Sequence, residues 1–124
     1  ASQVTSVEEV KESIDLAGTI IKENNIKNIE LVNQSMEDFA DSKNHSLFDI
    51  TVLDPPRKGC SEKTLDYILK LSAKKIIYVS CNPATLARDL QYLISKGCKV
   101  ESIQPFDMFP HTYHIENAAI ISLG

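Results

Sequence analysis

No stretch of this 124-residue sequence is apolar for long enough to cross a membrane, and no export-signal pattern opens it. There is no C-x-x-C either. Cys60, Cys81 and Cys98 stand far apart, which leaves neither a zinc ribbon nor a dithiol redox motif. An odd cysteine count without an export signal favours reduced thiols and a cytoplasmic setting. Positive charge is not in excess: 13 Lys and Arg against 17 Asp and Glu give a net charge of −4. Such a chain is no general nucleic-acid clamp by itself, because phosphate binding needs clustered cations. RNA stays open as a partner where other parts of a longer protein supply the basic surface. Low-complexity segments and internal repeats are absent as well.

What is present is an ordinary globular balance, 43% apolar and 24% charged, at a length that suits one compact domain. Helical and strand patterns alternate along it. "QVTSV" reads as a strand. Val7, Val10, Ile14, Ala17 and Ile21 then recur on one helix face, with Ser6 and Glu9 as a capping box and Asn24 and Asn25 as the stop. "NIELV" is a strand and "SMEDFA" a short helical turn. "FDITVLD" is a strand ended by Pro55 and Pro56. Ser61 caps a helix carrying Leu65, Ile68 and Leu69. "KIIYVS" is apolar enough to be buried on both faces. Asn82 and Pro83 then open a helix lined by Leu86, Leu90 and Leu93 and stopped by Gly97. "KVESIQ" and "NAAIISL" are the last strands.

This alternation predicts an α/β fold, a doubly wound, mostly parallel sheet. Ligands of such sheets bind outside the carboxyl ends of the strands. Three segments fall there: "DPPRKG", "SCNP" and "QPFDMFPHTYHIE".

Together these segments resemble the RNA uridine-5-methyltransferase family, which uses S-adenosylmethionine. The match runs through Asp54, Pro55, Pro56 and Arg57. It continues with Ser80, Cys81, Asn82, Pro83, Thr85, Arg88 and Asp89. It ends with Gln104, Pro105, Asp107, Met108, Phe109, Pro110, Thr112, His114 and Glu116. Three ordered motifs are far more specific than one. The first half matches more loosely, with Glu8 at the position that holds the cofactor's ribose.

The resemblance implies a class I, Rossmann-like methyltransferase fold without its first strand and glycine-rich loop. Residues 1–124 are then the C-terminal portion of a catalytic domain. The absent strand belongs between those at Val4–Val7 and Asp49–Asp54. The family's RNA-binding barrel, and the iron–sulfur cluster of some members, lie outside this chain. The implied partner is a tRNA or rRNA uridine, and no membrane. The implied roles are Cys81 as nucleophile, Glu116 as base and Asp54 as the group on the uracil edge. Glu8 and Asp54 are on the cofactor side, and no metal is implied. The fragment alone is expected to be inactive.

Each residue has a plainer reading. Free cysteines are often buried and inert. Cys81, however, precedes a helix N-terminus, where the dipole and free N–H groups attract negative charge. Cys98 reads as core and Cys60 as incidental. Asp54 can be a turn cap, Glu116 a surface carboxylate and Glu8 a first-turn acid. Arg57 and Arg88 can meet phosphate or be structurally paired. His111 and His114 lack the second ligand pair of a metal site. Phe106, Phe109 and Tyr113 can contact a flipped base or pack within their loop. Two other readings stay open: a non-catalytic α/β module for structure or interaction, and an unrelated α/β enzyme with a nucleophilic Cys81.

Overall fold

The structure is a computed structural model that describes residues 1–42, 47–108, 110–112 and 114–124. The chain divides into two compact units, Ala1–Asn44 and His45–Gly124. No helix among the described residues is long and apolar enough to cross a membrane.

The first unit holds β1 (Val4–Glu8), α1 (Lys11–Glu23), β2 (Ile29–Asn33) and α2 (Met36–Asp41). β1 and β2 pair in parallel, from Val4 beside Ile29 to Glu8 beside Asn33. The expected capping box at Ser6 and Glu9 does not form. The β ladder holds the chain extended through Glu8, so α1 starts later, with Val10 as its cap residue. The Glu8 carboxylate accepts the Val10 N–H at 2.8 Å and turns strand into helix. Asn25 ends α1 as expected, at φ 54°. Its N–H reaches the Lys22 carbonyl, and that of Ile26 reaches Ile21.

The second unit holds β3 (Phe48–Leu53), α3 (Glu62–Leu71), β4 (Ser72–Ser80), α4 (Pro83–Ser95), β5 (Lys99–Phe106) and β6 (Glu116–Ser122). Its strands lie in the order β3-β4-β6-β5. β3 and β4 are parallel, and β6 is antiparallel to both β4 and β5. Hence β3, β4 and β5 point one way and β6 alone runs against them.

The helix signals act as read. Ser61 Oγ accepts the Thr64 N–H at 3.1 Å at the start of α3. Asn82 Oδ1 accepts the Ala84 N–H at 3.0 Å at the start of α4, with Pro83 first in the helix. Gly97, at φ 94°, follows the end of α4, where the Cys98 N–H closes on the Leu93 carbonyl.

Leu65 and Ile68 of α3 and Leu86, Leu90 and Leu93 of α4 share one core with Ile76, Tyr78, Ala119 and Ile121 of the sheet. Each fully buried leucine or isoleucine there contributes about 1.5–3 kcal/mol by leaving water. Both helices therefore cover the same sheet face. This revises the expectation for β4: Ile76, Tyr78 and Ser80 are buried, whereas Ile77 and Val79 on the other face are half-buried.

Candidate active site

Strand order places three of the residues singled out in the sequence at adjoining strand ends. The last β4–β6 pair is Ser80 with Asn117. Cys81 follows Ser80 just past the end of β4, and Glu116 precedes Asn117 as the first residue of β6, so the two flank that last pair. On the other side, Leu53 of β3 pairs with Tyr78 of β4. Asp54 follows Leu53 just past the end of β3. Neighbouring strands lie about 4.8 Å apart, so the strand ends that carry these residues adjoin.

Parity decides the face. Leu53, Tyr78, Ser80 and Asn117 point into the helix-covered core. Successive side chains alternate along a strand, so Glu116, next to Asn117 in β6, faces the opposite way. Cys81 and Glu116 are half-buried and Asp54 is exposed. Phe106, expected in a loop, is instead the last residue of β5 and pairs with Glu116 on this same face. It is half-exposed, at 47%. Phe109 and Tyr113 lie outside the described residues. Glu8 belongs to the other unit, at the carboxyl end of β1, and is half-buried.

Cys81 sits two residues ahead of Pro83, at the positive end of the α4 dipole. Cys98 is 8% exposed within the core, and burial pushes its thiol above the ordinary range. Among the described residues no cluster of three His, Cys, Asp or Glu side chains could hold a metal. His111 lies in a turn at φ 68°.

Behind the site is a buried polar cluster that sequence reading passed over. Asp89 is 1% exposed. Its Oδ2 accepts the Tyr78 hydroxyl at 2.5 Å and the Cys60 N–H at 2.8 Å. Its Oδ1 accepts Arg88 Nε at 2.9 Å and Nη2 at 2.7 Å. Burial, with Asp89 alongside, raises the Tyr78 hydroxyl above the ordinary tyrosine range. The hydrogen bond to Asp89 likewise raises the Arg88 guanidinium. Arg88 is thus structurally paired, and Cys60 is a member of the cluster. The R-D pair of the second motif was visible in the sequence, but only tertiary packing shows what it touches.

The chain matches, over residues 1–123, the family model for tRNA (uracil-5-)-methyltransferases. It belongs to that family. Among its curated relatives, an uncharacterized RNA methyltransferase of Thermotoga maritima is 42% identical over 125 residues. That alignment covers 100% of this chain and 28% of the relative. An uncharacterized RNA methyltransferase of Bacteroides thetaiotaomicron is 44% identical over 126 residues, covering 99% and 28%. The chain thus spans little more than a quarter of the length of these relatives.

Among solved structures, the Pyrococcus abyssi tRNA (uracil-54, C5)-methyltransferase in complex with S-adenosyl-L-homocysteine is similar, with a TM-score of 0.79 and 30% identity. The similarity covers 96% of this chain and 28% of that one. An rRNA methylase of Streptococcus thermophilus, 9% identical, shares the fold with a TM-score of 0.72 over 98% of this chain and 74% of its own. The fold is that of class I S-adenosylmethionine-dependent methyltransferases.

Proposed function

We propose that this chain is the C-terminal part of the catalytic domain of an enzyme that methylates carbon 5 of a uridine in tRNA or rRNA. The observation that carries the reading is the strand order β3-β4-β6, with Asp54 just after β3, Cys81 just after β4 and Glu116 at the start of β6, at adjoining strand ends. Family membership supports the substrate class.

Carbon 5 of uracil is a weak nucleophile. The Cys81 thiolate adds to carbon 6, forming a C–S bond and moving the ring electrons into an enolate. Carbon 5 then becomes nucleophilic. When bound, S-adenosylmethionine supplies the electrophilic methyl group that carbon 5 takes up. The Glu116 carboxylate next removes the proton from carbon 5. The electrons of that C–H bond restore the C5–C6 double bond and expel the Cys81 thiolate. Asp54, exposed at the end of β3, holds the polar edge of the base.

The residues fit an adenosyl cofactor in one respect. Glu8 sits at a strand's carboxyl end, where its Oε1 accepts the Val10 N–H, and the carboxylate can accept from ribose hydroxyls. The chain carries only four glycines, at positions 18, 59, 97 and 124, so it holds no glycine-rich loop. The isolated 124 residues are therefore inactive and bind the cofactor poorly. Calorimetry on this piece showing micromolar binding would contradict that.

The test of the chemistry uses the full-length protein. Cys81→Ala should lower methyl transfer by at least about 10³-fold, because it removes the group placed to add to carbon 6. Glu116→Gln should form and methylate the adduct but not release it, leaving a denaturant-stable protein–RNA complex. Wild-type turnover in either variant removes that residue from its role.

A further inference from the structure

The two segments that carry Asp54 and Cys81 leave different strands, and neither is held by the sheet beyond its last ladder pair. Side chains of α4 and its cap hold them together instead. Arg88 Nη2 donates to the carbonyls of Lys58 and Cys60, each at 3.0 Å. Asn82 Nδ2 and Thr85 Oγ1 donate to the Arg57 carbonyl at 3.3 and 3.1 Å. Asp89 takes the Cys60 N–H from the same loop and the Tyr78 hydroxyl from the strand that leads to Cys81. Gly59 packs so closely that a Cβ there would stand 2.5 Å from Asp89 Oδ2 and 2.7 Å from Arg88 Nη2.

Capping α4 needs only Asn82. It does not need a carboxylate 1% exposed and satisfied on both oxygens. A buried charge is costly unless fully paired, so a cluster of this kind is rigid once formed. What it makes rigid is the spacing between the loop after Asp54 and the turn at Cys81.

We propose that Asp89, with Arg88 and Tyr78, is a positioning cluster that sets where Cys81 stands relative to the Asp54 side of the base pocket. Asp89 touches neither base nor cofactor. It acts through the loop 56–60 and through β4. A displacement of about 1 Å between nucleophile and substrate costs on the order of 10²-fold in rate. The inference rests on the roles of Cys81 and Asp54 proposed above.

The test uses the full-length protein and tRNA transcribed with 5-fluorouridine. Fluorine at carbon 5 cannot leave as a proton, so the Cys81 adduct accumulates and its formation rate can be read directly. The variants are Asp89→Asn, Tyr78→Phe and Arg88→Lys. Asp89→Asn should slow adduct formation about 10²-fold, and the other two about 10-fold. The dissociation constant for the RNA should stay within about threefold, since no phosphate contact is removed. The pH profile of Cys81 alkylation by iodoacetamide should not move, because the cluster sets geometry and not the charge of the thiol.

Wild-type adduct rates in Tyr78→Phe and Arg88→Lys overturn the proposal. So does a shifted alkylation profile with the adduct rate following it. Should Asp89→Asn fail to fold, these two milder variants decide by the same criteria. Arg88 is 58% exposed at its side chain, so Arg88→Lys opens no core cavity. If the Cys81→Ala control forms adduct at the wild-type rate, the function proposed above falls, and the positioning role falls with it.

Discussion

Burial holds the Cys98 thiol above its ordinary range, while Cys81 lies half-buried beyond the end of β4. The two sulfurs should therefore respond differently to reagents. Cys98 is expected to be the last of the three cysteines alkylated in the native chain, as read by mass spectrometry on a time course. Its titration also bears on stability. The unfolded thiol ionises first, so the stabilisation is complete below the ordinary cysteine range and is lost as pH rises through the raised folded value. Cys98→Ala should remove that part of the alkaline slope. It should cost about 1 kcal/mol at neutral pH, from a small core void. Denaturant melts at several pH values check both. Cys81→Ala should change stability by no more than about 0.5 kcal/mol, because it opens no core cavity.

At the scale of single elements, two glycines separate backbone conformation from crowding. Gly97 has φ 94°, and a methyl group there would meet nothing within 4 Å. Gly97→Ala therefore meets only the conformational cost of the left-handed region, about 1–2 kcal/mol. Gly59 has φ 74°, and a methyl group there would stand under 3 Å from Asp89 and Arg88. Gly59→Ala should cost more than Gly97→Ala in a chemical-denaturation series. It should also impair the adduct chemistry, because the loop after Asp54 has to shift. Equal losses would mean that the cluster yields easily. Most of these elements can be read from the sequence. Ser61, Asn82–Pro83, Asn25 and Gly97 are local signals whose chemistry acts within a few residues, and each ends or starts its helix where expected. The Ser6–Glu9 box fails because a long-range ladder partner, Asn33 beside Glu8, keeps that stretch extended.

For the molecule as a whole, the two units differ in how much they bury. α1 has no buried residue, and Phe39 is the buried hydrophobic of the first unit among the described residues. The second unit concentrates its core on one face of four strands. A two-stranded sheet is marginal without such packing. Hydrogen exchange should therefore find the slowest amides in β4 and β6, the central strands, and much faster exchange in β1 and β2. Equal protection across both sheets would contradict this.

The sequence by itself determined the alternation of helices and strands, the helix ends, and the three motifs at strand ends. These depend on near neighbours and on residue types that act alone. It marked Cys81 by its place before a helix N-terminus, whereas Glu116 and Asp54 stood out only through the resemblance of the motifs to a known family. Only the tertiary structure decided that Cys81 and Glu116 adjoin the same end of the β4–β6 ladder. That follows from the β4–β6 register, which joins residues far apart in sequence. It also moved Phe106 from a loop to the end of β5, beside Glu116. The cluster around Asp89 was legible only as an R-D pair. Its meaning comes from Tyr78, Gly59 and Cys60, which no periodicity links to it. A buried carboxylate is recognised by what surrounds it, and packing alone supplies those surroundings.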